Sequence, residues 1–209
     1  RDRSPSRGLG DVYKRQLPNK LFFGGLGLFT VNGIPKASYY AYTLLRQLGD
    51  QFLGRGDGYF ITRKHNSYQI MLYNYKHFNY LYANGERFDM TETDRYTVFA
   101  DSDPVTIELC LSNIPQGTYK ISETYVNRTH GSSYDQWVSM GGLELTTPYE
   151  FDLLKKASSP GFHQKLMHIA SDETLRLNAE LELLEIRLIQ ITPCLLYTSP
   201  SPRDGLLSR

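Results

Sequence analysis

The sequence predicts a mixed α/β fragment, a strand–helix unit suited to a parallel sheet followed by a mainly antiparallel β-sandwich. Three observations predict it. Residues 21–29, LFFGGLGLF, form a near-continuous apolar run that leads into a helical repeat. Residues 59–126 carry short runs rich in Tyr, Ile and Leu, divided by turn signals, as strands of a sandwich do. A single strong helix start, Thr147-Pro148-Tyr149-Glu150, interrupts that pattern.

The first run is broken only by Gly24, Gly25 and Gly27, which is how a strand covered on both faces reads. Asn32-Gly33 turns the chain, and Pro35 suits a first helical position, where its missing N–H costs nothing. Ala37, Tyr40, Ala41, Leu44, Leu45 and Leu48 recur at helical spacing, and Gly49 is the expected stop. A lone strand–helix unit cannot cover both faces of its strand, so the chain is expected to be truncated at its front.

Residues 51–58 read as a glycine-containing linker. Residues 59–63 and 68–75 read as a hairpin joined by the polar stretch 64–67, the second strand being apolar on both faces and therefore central. Residues 76–94 are irregular, with a turn at Asn84-Gly85. Val105, Ile107, Leu109 and Leu111 alternate with polar residues as a half-buried strand, and residues 115–117 turn into a strand over 119–126. Thr147 as N-cap, Pro148 at N1 and Glu150 closing a capping box start a helix that runs to Ala157. Residues 175–191 fit either a strand or a helix.

The stretches GGLGLFTVNGIPKASYYAYTLLRQLGD, GDGYFITRKHNSYQIMLYNYKHFN and YVNRTHGSSYDQWVSMGG resemble glycoside hydrolase family 39, the β-xylosidases and, more distantly, α-L-iduronidase. The resemblance implies that residues 17–52 are the last strand and helix of a TIM-type (β/α)8 barrel and that residues 53–193 are the accessory β-sandwich with one inserted helix. It also favours a final sandwich strand over 175–191. The resemblance implies two catalytic glutamates, an acid/base and a nucleophile, closing the fourth and seventh barrel strands. Both would lie upstream of Leu17, so no catalytic residue is expected in this chain. Phe22, Phe23, Leu26 and Leu28 would then lack barrel neighbours and form an aggregation-prone patch.

The two ends read differently. Residues 6–16, SRGLGDVYKRQ, and 194–204, CLLYTSPSPRD, are related through reverse-complement frames, and both resemble the translated transposase adapter of sequencing libraries. Residues 1–16 and 194–209 are therefore expected to be adapter-derived and disordered, and are set aside as scars are. Of 23 basic and 22 acidic residues, the two ends hold seven and three, which leaves 16 against 19 and changes the net charge from +1 to −3. The apparent basic arm disappears, and with it the electrostatic case for nucleic acid. Of the two cysteines only Cys110 remains, which excludes an internal disulfide and suits a cytoplasmic protein. No stretch nears the roughly 18 apolar residues of a membrane span.

Barrel active sites lie at the C-terminal ends of the strands, so Leu28, Phe29 and Asn32 are the candidates for lining a sugar site. The alternative is that Phe29 packs a barrel and Asn32 only turns the chain. The run Tyr73, Tyr75, Phe78, Tyr80 and Tyr82 reads as core and inter-domain packing, with sugar stacking as the alternative. In residues 127–137, NRTHGSSYDQW, His130 and Asp135 lack metal-ligand spacing. A structured loop held by Asn127, His130 and Trp137 is expected there, and the sequon Asn127-Arg128-Thr129 is read as incidental. No metal or other cofactor is expected, and His163 and His168 are given no role. The expected partner is a carbohydrate, xyloside-like, in an intact hydrolase, and a homo-oligomer contact is possible through the sandwich. Two other classes stay open: the sugar-sensing part of an arabinose-regulator-type (AraC-like) transcriptional regulator, and a free-standing carbohydrate-binding module, which the strand–helix unit disfavours.

Overall fold

A computed structural model describes residues 21–22, 27–86, 90–91, 93–170 and 174–194. Helix α1 (Ala37–Leu45) precedes an antiparallel meander of β1 (Gln51–Gly56), β2 (Tyr59–Lys64) and β3 (Ser67–Tyr73). A short helix α2 (Tyr80–Ala83) and a 3-10 turn (Tyr96–Val98) lead to β4 (Val105–Leu111) and β5 (Gly117–Val126). Helices α3 (Ser133–Ser139) and α4 (Pro148–Ala157) come next, then β6 (Gly161–Ile169), β7 (Leu175–Leu181) and β8 (Ile186–Pro193).

Six strands form one sheet in the order β1-β2-β3-β8-β5-β6, and β4 pairs with β7 across it. Every described pairing of strands is antiparallel. The main core fills the space between the two sheets. Ile70 and Leu72 of β3, Ile121 of β5 and Ile189 and Ile191 of β8 meet Ile107 and Leu109 of β4 and Leu177 and Leu181 of β7. The alternate residues Met71, Val126 and Leu188 point the other way and pack with Leu44 of α1, so the large sheet is covered on both faces. A third cluster joins Ile34, Trp137 of α3 and Leu154 of α4.

Several elements match their patterns. β3 lies between β2 and β8 and is buried on both faces, as a central strand should be. In β4 Ile107 and Leu109 are buried while Glu108 and Cys110 are exposed. The capping box of α4 is complete, with Thr147 Oγ1 accepting from the Glu150 N–H at 3.3 Å and Glu150 Oε2 accepting from the Thr147 N–H at 2.8 Å.

Other elements correct the sequence reading. No described residue of 21–29 belongs to a strand: Leu21 and Phe22 lie in a turn, Leu28 and Phe29 are exposed, and residues 23–26 fall outside the description. An apolar run becomes a strand only where neighbours offer hydrogen bonds, and Phe29 has just an isolated bridge to Pro35. Pro35 is not the first helical residue, because Lys36 occupies the N-cap. Gly49 does not end α1, which stops at Leu45. It lets the backbone pass against the Arg63 carbonyl, where a Cβ would collide.

Residues 51–58 are no linker. They contain β1 and the Asp57-Gly58 turn, with Gly58 at φ +74° and Tyr73 donating to its carbonyl at 2.8 Å. A boundary at 52/53 would therefore cut a strand. Residues 175–191 form not one element but two, β7 and the start of β8, in different sheets, because Leu184 turns the chain at φ +59°. Strand β6 and helix α3 are additional, so α4 is not the single inserted helix. The proposed adapter segments lie outside the described residues except Cys194, whose N–H donates to Thr118 O at 2.8 Å.

Candidate functional site

The predicted sugar-site residues sit together on one exposed turn ahead of α1. The Lys36 N–H donates to Leu28 O at 2.9 Å, the Thr30 N–H to Ile34 O at 2.9 Å, and the Ile34 N–H to Thr30 Oγ1 at 3.1 Å. Phe29 is 45 % exposed and lies with its ring 4.8 Å from that of Tyr39, and Asn32 occupies the tip of the turn, also exposed.

Beside this turn opens a cleft of about 780 Å³, within the range of small-molecule sites. It is framed by the start of α1, by residues of the stretches 78–82, 90–91 and 95–99, and by residues 132–134 at the start of α3. Leu28, Phe29 and Asn32 do not line it, although Lys36 joins the two features. Of the tyrosine-rich run, Tyr73 is half-buried in β3 with its ring 6.3 Å from that of Phe60, while the residues after it are not core. Tyr75, Phe78 and Tyr80 are exposed, Tyr80 by 78 %, while Phe78 and Tyr82 line the cleft. Phe78 stacks on Phe99 with centroids 5.3 Å apart and planes 28° apart, and Phe99 lies 29° from the plane of Tyr96.

Behind these rings a polar network holds the wall. Tyr96 donates its hydroxyl to Asp135 Oδ2 at 2.6 Å, and Ser132 Oγ donates to the same oxygen. Arg128 approaches Asp135 Oδ1 at 3.3 Å and covers the Tyr96 ring at 4.0 Å. Burial pushes the Tyr96 hydroxyl well above its ordinary range, helped by the hydrogen bond to Asp135 and by that carboxylate's charge, with Arg128 opposing. Asp135 is thereby committed to three side chains rather than offered to a metal. Among the described residues no group of three or more His, Cys, Asp or Glu could hold one.

The expected loop at 127–137 is half right. Asn127 Oδ1 accepts from the Thr129 and His130 N–H groups at 3.1 and 2.9 Å, and Trp137 Nε1 donates to Leu143 O at 2.7 Å. From residue 133 the chain is helix, capped by Ser132, whose Oγ accepts from the Asp135 N–H. The signal was legible: a serine before an apolar helical repeat, with an acidic residue three positions later. His130 is exposed and rests against Tyr125 at 5.1 Å. Sequence reasoning missed the residues that shape the cleft most, Arg95, Tyr96, Phe99, Ser133 and Tyr134. They come from segments far apart in the chain and share no local pattern.

Comparison with known proteins bears on this architecture. No family model matches the chain. It is 26 % identical over 183 residues to a β-xylosidase of Geobacillus stearothermophilus, covering 87 % of this chain and 32 % of that protein. It is 22 % identical over 170 residues to an uncharacterized helix-turn-helix-type transcriptional regulator of Staphylococcus aureus, covering 81 % of this chain and 21 % of the regulator. In three dimensions it matches the glycoside hydrolase family 39 enzyme from Xanthomonas axonopodis pv. citri with a TM-score of 0.67 at 16 % identity, over 85 % of this chain and 34 % of that one. A monomeric β-xylosidase from Caulobacter crescentus CB15 matches with a TM-score of 0.66 at 21 % identity, over 85 % and 35 %. The chain shares the fold of part of these enzymes. It spans about a third of the length of the β-xylosidase and about a fifth of the regulator. No described helix is long and apolar enough to cross a membrane.

Proposed function

We propose that this chain is the accessory portion of a family 39-like glycoside hydrolase of the β-xylosidase type. The observation that carries the reading is the structural match to family 39 enzymes over 85 % of the chain. In this reading α1 is the last barrel helix, the residues ahead of it come from the barrel, and the sandwich begins at Gln51. Catalysis would use two glutamates on barrel strands outside these residues. Carboxyl groups of a retaining enzyme stand about 5 Å apart, so that one protonates the leaving oxygen while the other attacks the sugar. The exposed turn with Leu28, Phe29 and Asn32 would complete the rim of that site. The sandwich would brace the barrel through α1, whose buried face already rests on the large sheet.

The test is to read the gene upstream of the codon for Leu17 and to assay the whole product on aryl β-xylosides. Seven further strand–helix units, glutamates closing the fourth and seventh strands, and hydrolysis with retention support the proposal. A second reading rests on the match to the staphylococcal regulator. There the same fold would serve as the sugar-sensing part of an AraC-like regulator, and the upstream sequence would encode a DNA-binding domain and lack at least one glutamate.

A further inference from the structure

The sequence contains two Asn-Gly pairs, Asn32-Gly33 and Asn84-Gly85, and the fold treats them differently. Both asparagines are exposed, and both glycines turn the chain at positive φ, +74° and +91°. A Cβ on either glycine would meet nothing within 4 Å, so neither is crowded. Each glycine N–H makes one turn hydrogen bond of 3.0 Å, Gly33 to Thr30 O and Gly85 to Tyr82 O. The pairs part company at the asparagine side chain. Asn84 Nδ2 donates to Tyr80 O at 2.8 Å, which ties it to the end of α2. Asn32 has no side-chain hydrogen bond among the described residues and stands free at the tip of its turn.

That difference bears on an intramolecular reaction. The backbone nitrogen of the following residue can attack an asparagine side-chain amide once the two rotate into reach, and glycine, with no Cβ, opposes the rotation least. We infer that Asn32 is a site of spontaneous deamidation, and that the Asn84 tether holds the second pair back. The Gly33 nitrogen, its proton lost to base, bonds to Asn32 Cγ. The Cγ–Nδ2 bond breaks, and Nδ2 takes up a proton and leaves as ammonia. One water then opens the succinimide ring at either carbonyl, giving an aspartyl or an isoaspartyl residue. Water supplies the new carboxylate oxygen, and nothing is oxidised or reduced.

In both pairs the turn bond of the glycine has to open. Asn84 must break its side-chain bond as well, and one neutral hydrogen bond corresponds to about a fivefold difference in rate. Either product adds a negative charge to the turn that carries Phe29. The isoaspartyl product also lengthens the backbone by one carbon between Thr30 and Ile34, whose hydrogen bonds of 2.9 and 3.1 Å close that turn. This chemistry needs no substrate and is independent of the glycosidase reading.

The test ages the full 209-residue chain in mildly alkaline buffer, native and in guanidinium chloride, and follows both pairs by peptide mass mapping and isoaspartyl methyltransferase labelling. In the native chain Asn32 is expected to convert about fivefold faster than Asn84. In denaturant, where the tether is gone, the two rates should converge. Equal native rates, or faster conversion at Asn84, overturn the inference, as does an Asn32 peptide that stays intact in the native chain while it converts in denaturant. A native difference that persists in denaturant overturns the role given to the Asn84 tether.

Discussion

Replacing Glu185 by alanine should be among the most destabilising single changes in the sandwich. Its side chain is 1 % exposed and accepts four hydrogen bonds. Two come from Arg187, at 2.6 and 3.0 Å, one from Asn127 Nδ2 at 3.3 Å and one from the Glu182 N–H at 3.2 Å. One carboxylate thus ties β8, the turn that precedes it and the loop after β5. Removing one partner of a buried ion pair costs about 3–5 kcal/mol, because the other charge stays behind. Arg187 would keep Glu123 at 3.6 Å and Glu180 O at 3.2 Å, which places the expected loss near the lower end, about 3 kcal/mol. Glu185→Gln preserves the shape but exchanges charge-assisted bonds for neutral ones of about half the strength, so a loss of about 1–2 kcal/mol is expected. Urea denaturation followed by Trp137 emission and by far-UV circular dichroism measures both. If Glu185→Ala unfolds within about 0.5 kcal/mol of the native chain, the scale of an inert surface substitution, then this cluster does not hold the three segments together.

Leu188→Ala empties a site between α1 and the large sheet, where Leu188 is fully buried against Leu44, Met71 and Val126, and a loss of about 2–5 kcal/mol is expected in the same denaturation assay. Thr147→Ala removes the N-cap of α4 and should cost about 1 kcal/mol, read from the thermal midpoint. Hydrogen bonds from the Thr147 and Thr146 N–H groups hold the Glu150 carboxyl below its ordinary range. A carboxyl lowered in the folded state stabilises above its unfolded pKa, so this contribution disappears as acid protonates the folded carboxyl. A carboxyl NMR titration should show the shift, and Thr147→Ala should reduce it. For Tyr96 the sign is opposite: the folded hydroxyl is raised, so its contribution is complete below the ordinary tyrosine range and lost as pH climbs through the folded value. Burial raises Tyr40, Tyr119 and Tyr134 as well, so alkaline difference spectroscopy should show several late tyrosines with Tyr96 the last, and Tyr96→Phe should remove that last component.

What the sequence disclosed follows the degree of burial. β4 and α4 were legible because each has a one-sided environment that writes a period, and a cap, into the chain. β3 was legible as central because both of its faces are buried. β1 and β6 are sheet edges, exposed along most of their length, so QFLGRG and GFHQKLMHI carry no alternation. For β1 the Asp57-Gly58 dipeptide was the available signal, a strong hairpin marker that the surrounding glycines disguised. The described residues of the run at 21–29, namely 21–22 and 27–29, lie outside any strand, since apolar composition measures the wish for burial and not the presence of hydrogen-bonding neighbours. The cleft was invisible for another reason. Ser133 and Phe99 are unremarkable where they stand in the chain, and only the packing of α3 against Tyr96 brings them to one wall.

The place of β8 sets the order in which this molecule can assemble. It is the last described strand in the chain, yet it sits fourth of six in the large sheet, between β3 and β5. Until its residues leave the ribosome, the β1–β3 meander and the paired strands β5 and β6 are two separate ribbons, each with an open edge facing the gap. Ile189 closes onto Ile70 across more than half of the chain, a pairing of high contact order that is slow to find and that gives nothing until it is complete. A nascent chain halted anywhere before Ile186 would therefore hold most of its sequence and none of its continuous sheet, with two unpaired edges open to the nearest other chain.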